Sequence, residues 1–163
     1  MIKGCIFDLF EVILKDINAL ENNTIKSKSL TQDDLTDGFL VFLKELKNKG
    51  IQVAVVSNHP HLKEVLDRLR ITHLINVYLS ENQYFTIENQ MNKYLEAAKL
   101  MNINPIDILL FKKADSIDLQ LIEQNFRIIY VGSVLPENEE MIQINDFSNL
   151  KFNQIISLVS NYK

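Results

Sequence analysis

The chain has no tryptophan, one cysteine, three prolines and four glycines in 163 residues. A lone thiol rules out an intramolecular disulfide, so the core must hold the fold, and a reducing cytoplasmic setting is expected. Cys5 stands inside an apolar run and should be a small buried core residue rather than a reactive thiol. So few prolines and glycines leave no candidate interdomain linker, and there is no internal repeat or low-complexity tract. No apolar stretch reaches the ~20 residues needed to cross a bilayer. The first residues lack the basic, apolar and small-residue succession of an export signal, so neither membrane nor export is expected. Basic residues number 17 against 21 acidic ones, for a net charge of −4. The two signs are interspersed, and Lys112-Lys113 is too short a run to form a basic face, which argues against nucleic acid as a partner.

What remains is the composition of a globular protein, 47% apolar and 23% charged. The length suits one domain over residues 1–163 with a genuine core. Ile2 to Leu9 reads as a buried strand. Segment 16–36 is rich in Asn, Lys, Ser and Asp and reads as loop with a helical turn, where Thr31 and Asp34 have capping-box spacing. Phe39, Leu40, Leu43 and Leu46 follow helical spacing up to Gly50, which stands where a helix ends. Ile51–Val56 has the β-branched character of a parallel strand covered on both faces. A helix over 61–71, a short strand over 75–79, a helix over 94–101 and a strand over 108–111 follow. Next come a helix over 119–126, a strand over 127–131, a short strand over 141–144 and a last helix over 148–160. This alternation predicts an α/β fold: a three-layer, doubly wound, Rossmann-like and mainly parallel sheet of five or six strands.

Ligands in such sheets bind at the carboxyl ends of the strands. The polar residues there are Asp8 after the first strand and Ser57-Asn58 after the second. Lys112, Lys113, Asp115, Ser116 and Asp118 follow the fourth strand, and Gly132-Ser133 the fifth. Ser57 suits either an anion ligand or a helix cap. Lys112 and Lys113 are either site cations or ordinary solvated lysines. Asp115 and Asp118 suit a weak cation site or a helix N-terminus. His59 and His61 flank Pro60 and are expected to be exposed loop histidines, with no carboxylate or thiol at metal-ligand spacing nearby.

Cys5-Ile-Phe-Asp-Leu-Phe-Glu-Val-Ile-Leu14 resembles the first motif of the haloacid dehalogenase (HAD) superfamily, where an apolar strand ends in Asp-x-Asp-Gly. Val53-Ala-Val-Val-Ser-Asn58 is similar to the second motif. Leu95-Glu-Ala-Ala-Lys99, the Asn104-Pro105 turn and strand 108–111 resemble the run into the fourth. The likeness spans nearly the whole chain and is nearest to the phosphoglucomutase-like and dehalogenase-like branches. It implies a HAD-like fold with 15–36 as a shortened cap or flap segment and no sizeable cap domain. In that family the first aspartate attacks phosphorus and the second is general acid and base. A Ser or Thr and a lysine hold the phosphoryl group, and fourth-motif acids hold magnesium.

The resemblance places Asp8 at the nucleophile, but Phe10 at the acid/base position and Glu11 where glycine is usual. The third-motif lysine falls near Glu88, and the fourth-motif acids fall on Ala114 and Asp118, with Asp115 one residue out of register. Lys112 or Lys113 could stand in for the lysine; Glu11 is a poor replacement acid, because its side chain should point away from the neighbours of Asp8. Loss of a general acid costs ~10²–10⁴ in rate. The implied function is a HAD-like pseudo-phosphatase acting as a binding or regulatory module without a cofactor, with a protein partner or a second copy covering the capless site. The alternative is an active small hydrolase using Asp8, either a magnesium-dependent phosphatase or phosphoglucomutase-like enzyme or a metal-independent dehalogenase. The latter also keeps the nucleophile, an aromatic residue two positions on and a Ser-Asn second motif; it needs a capping arginine that 15–36 lacks.

Overall fold

A computed structural model describes residues 1–15, 30–80, 92–114, 119–132 and 141–161. The strands are β1 (Gly4–Asp8), β2 (Gln52–Ser57), β3 (Val77–Ser80), β4 (Ile108–Lys113), β5 (Arg127–Val131) and β6 (Ile142–Ile144). The helices are α1 (Phe39–Asn48), α2 (Leu62–Arg68), α3 (Asn92–Met101), α4 (Leu119–Glu123) and α5 (Phe152–Asn161). The strands form one parallel sheet in the order β3-β2-β1-β4-β5-β6. β1 is central, so the tips of β1, β2 and β4 lie side by side.

The period of two along each strand divides the core. Cys5, Phe7, Val53, Val55, Leu109, Phe111, Ile129 and Val131 face a cluster with α1, α2 and α5. Ile6, Ala54, Val56, Leu79, Ile108 and Leu110 face a second cluster with α3 and α4. This is the three-layer architecture expected of strands that are apolar on both faces. Cys5 is fully buried, and burial pushes its thiol far above the ordinary cysteine value.

Several helices are shorter at one end than their apolar patterns suggest. α2 stops at Arg68 and not 71, because Arg70 takes a left-handed φ of 56°. α4 stops at Glu123, with Asn125 left-handed at 67°. α5 starts at Phe152, because Asp146 Oδ1 caps a separate turn by accepting from Ser148 N at 2.7 Å. Conversely, β4 runs on to Lys113, pairing Lys112 with Tyr130 and Lys113 with Val131. β3 begins at Val77, two residues later than its apolar run, because Asn76 side chain and backbone are both engaged with Val53, the side chain accepting from Val53 N at 2.9 Å. Thr31 and Asp34 form the anticipated capping box around a short 3-10 turn at Gln32–Asp34. Gly50 is left-handed after α1, where its N–H donates to Lys47 O and that of Ile51 to Leu46 O. The segment between Lys15 and Leu30 is too short for a cap with a core of its own.

Candidate functional site

Parity along the strands decides which side chains meet at the tips. Asp8 follows Ile6 and faces the α3 side, and Lys112 follows Leu110 onto that same side. Tyr94, in the first turn of α3, meets both. Its ring is 2% exposed, its hydroxyl donates to Asp8 Oδ1 at 2.8 Å, and Lys112 Nζ donates to its oxygen at 3.3 Å. Lys112 Nζ also lies 5.1 Å from the ring centroid, as does Lys93 Nζ. The half-buried Asp8 thus accepts from a phenol that is itself polarised by ammonium groups. Tyr94 was concealed in the sequence as one more apolar position of a helix.

Lys113 turns the other way and pairs with Glu11 at 2.5 Å. Glu11 has φ 60°, a left-handed backbone that glycine adopts freely and a carboxylate side chain adopts at a cost of ~1–2 kcal/mol. Its ion pair with Lys113 ties the turn after β1 to the end of β4. Phe10, two residues beyond Asp8, packs partly against the first core cluster and lies 6.2 Å, centroid to centroid, from the His59 ring.

Ser57 is 4% exposed and its Oγ accepts from His59 N at 3.0 Å. This is a local turn bond, and it leaves the hydroxyl proton available to donate. Asn58 is exposed. His59 is not the exposed loop residue its neighbours suggested: it is 1% exposed. Two bonds fold it inward, its own N–H to Ser57 and the His61 N–H to its Nδ1 at 3.1 Å. An Nδ1 that accepts places the proton on Nε2, and that N–H is buried with no partner among the described residues. Nε2 in this tautomer is a donor and has no lone pair for a metal. His61 is exposed, as expected.

Burial, and then the neighbouring His61, lower the His59 pKa below its ordinary 6.5, with Glu64 opposing them. The unfolded imidazole therefore binds a proton that the folded one resists. Stability from this group is complete above pH 6.5 and is lost as pH falls through the lower folded value. Asp67 and Asp107, held low chiefly by hydrogen bonds from Lys63 and Lys3, lose their contribution only below 3.8. The urea midpoint should therefore decline as pH falls below 6.5, and His59→Gln should flatten that limb. An unchanged slope in the variant would show that another group drives it.

Ala114, at the first fourth-motif position, is fully buried and its N–H donates to Val131 O. Glu88, Asp115, Asp118 and Ser133 lie outside the described residues. Among the described residues, no three His, Cys, Asp or Glu side chains are grouped to hold a metal, and no helix is long and apolar enough to cross a membrane.

No family profile matches the chain, and no curated protein matches it in sequence. Solved structures do. A β-phosphoglucomutase from Clostridium difficile superposes with a TM-score of 0.78 at 18% identity, covering 99% of each chain. A HAD hydrolase of family IA, variant 3, from Entamoeba histolytica gives 0.75 at 12% identity, covering 98% of this chain and 100% of that one. A HAD-superfamily hydrolase from Ehrlichia chaffeensis gives 0.68 at 16%, covering 99% and 98%. The fold is HAD-like, in keeping with the motifs at the tips of β1 and β2.

Proposed function

We propose that this HAD-like chain is a binding or regulatory module whose strand-tip site no longer turns over phosphate esters. The observation that carries the proposal is Phe10. A benzyl group stands two residues after the candidate nucleophile, where the fold's chemistry calls for a proton donor and acceptor. It cannot protonate a leaving group or activate water, which alone costs ~10²–10⁴ in rate. The state of Asp8 adds to this. Its Oδ1 accepts from Tyr94, so one of the two carboxylate oxygens is already engaged by a neutral donor. The nearby charge of Lys112 is directed partly to the Tyr94 oxygen and ring. Anion recognition survives these changes better than catalysis. Ser57 keeps a hydroxyl proton, and Lys112 supplies positive charge beside Asp8.

A protein partner or a second copy covering the capless tips belongs to the same proposal. A cytoplasmic setting belongs to the same proposal, and a single free, buried thiol suits a reducing medium.

The experiment is turnover of para-nitrophenyl phosphate with magnesium, comparing the wild type with Asp8→Asn. Both should remain at the buffer rate. Robust wild-type turnover abolished by the substitution would establish an active hydrolase. A second reading, metal-independent displacement of halide, draws on the phenol and ammonium beside Asp8 and on the aromatic residue at position 10. Release of chloride from a 2-chloroalkanoate, lost in Asp8→Asn, would favour it.

A further inference from the structure

Beyond the strand tips, a groove of about 300 Å³ opens on the β3 side, between β3 and α2. It starts next to the candidate site, because Ser57 is paired in register with Ser80. Ser80 and Tyr78 are two residues apart on β3 and face the α2 side together. Ser80 is 6% exposed and lies in the groove wall, and its hydroxyl has no hydrogen-bond partner among the described residues. The Tyr78 phenol and the His61 imidazole line the same groove, also without side-chain hydrogen-bond partners among the described residues. Pro60 adds an apolar edge.

The charged residues around them are already matched. Lys63 pairs with Asp67 at 2.7 Å, and Glu64 with Arg68 at 2.9 Å. Asp67 also accepts from Thr72 Oγ1 at 2.5 Å. The groove therefore offers hydrogen-bonding heads and an aromatic wall with its charges cancelled nearby. A dianion would find no uncompensated cation there, whereas an occupant with several hydroxyls could both donate and accept. The volume is at the lower end of small-molecule sites.

We propose that this groove is a recognition site for a small, neutral, polyhydroxylated molecule, with Ser80, Tyr78 and His61 as its hydrogen-bonding residues. The proposal does not depend on whether Asp8 is active.

The test is amide chemical-shift mapping on the full chain titrated with free hexoses and myo-inositol, with inorganic phosphate as a parallel titrant. At least one polyol should shift amides of residues 60–64 and 78–80 with a Kd on the order of 1 mM, and Ser80→Ala and Tyr78→Phe should each weaken it several-fold. Mapping on the wild type is independent of how either variant folds. The proposal is overturned if no polyol shifts these amides, if the shifts lie elsewhere, if phosphate alone produces them, or if two folded variants bind as the wild type does. The para-nitrophenyl phosphate assay is blind to all of these outcomes, so failure here and failure of the disarmed-site proposal are separable.

Discussion

Gly38→Ala should destabilise the protein by about 3 kcal/mol or more, the largest effect expected of any single methyl group in the chain. Gly38 precedes α1 with φ 76°, a backbone that costs any other residue ~1–2 kcal/mol. Sterics add to that. A Cβ there would stand 2.2 Å from the Phe147 carbonyl oxygen and 2.6 Å from Ser148 N. These are backbone atoms and cannot swing aside as the end of a side chain could. They are also tied down, because the Phe147 N–H donates to Asp37 O at 2.9 Å. The 147–148 turn would have to move, and with it the Phe147 ring in the core. A urea melt checks this: the midpoint should fall sharply with little change in slope. A shift of less than ~1 kcal/mol would mean that the turn yields easily.

Phe7→Ala is expected to cost ~3–5 kcal/mol, from lost transfer energy plus the cavity left behind. Phe7 is fully buried at the centre of β1. Its ring stacks on Phe111 at 4.6 Å and meets Phe39 edge-on at 5.2 Å and Phe147 at 6.0 Å. Those contacts join β1, β4, α1 and the 147–148 turn, so collapse around the gap would require all of them to shift. Total stabilities of ~5–15 kcal/mol leave little margin after such a loss. Thermal and urea melts should show either a large drop or no cooperative transition. Phe7→Leu, which keeps most of the volume, should recover most of the stability; a Leu variant as unstable as the Ala one would point to ring geometry and not to volume.

These two positions also show what the amino-acid order discloses. The apolar runs around Phe7 and Phe111 have no polar break, which already marks them as strands covered on both faces. Once the strands are known, a period of two assigns each side chain to a layer, and the tips of β1, β2 and β4 follow from parallel winding. Helix ends were less legible. Arg70 and Asn125 adopt left-handed backbones that no local pattern announces.

The placing of Asp8 and Ser57 at neighbouring strand tips was legible, because β1 and β2 end on them. The site was not legible at Tyr94 and His59. Tyr94 reaches Asp8 across 86 positions of sequence, and its buried ring gives it the pattern of a core residue while one oxygen does the polar work. His59 sits beside a proline in a polar stretch, which ordinarily means solvent. Only the pair of bonds with Ser57 Oγ and His61 N folds the imidazole inward. Lys112 and Lys113 form a further case. Adjacent and identical in type, they serve opposite sides of the sheet, one at Tyr94 and the other at Glu11.

Cys5 has a practical consequence. It is the sole sulfhydryl of the chain, fully enclosed within the central strand. An alkylating reagent can reach it only after β1 has parted from its neighbours, so its labelling rate becomes a clock for opening of the innermost part of the molecule. Mass spectrometry of one added label would then read that clock without any engineered probe, for the native chain and for each variant above.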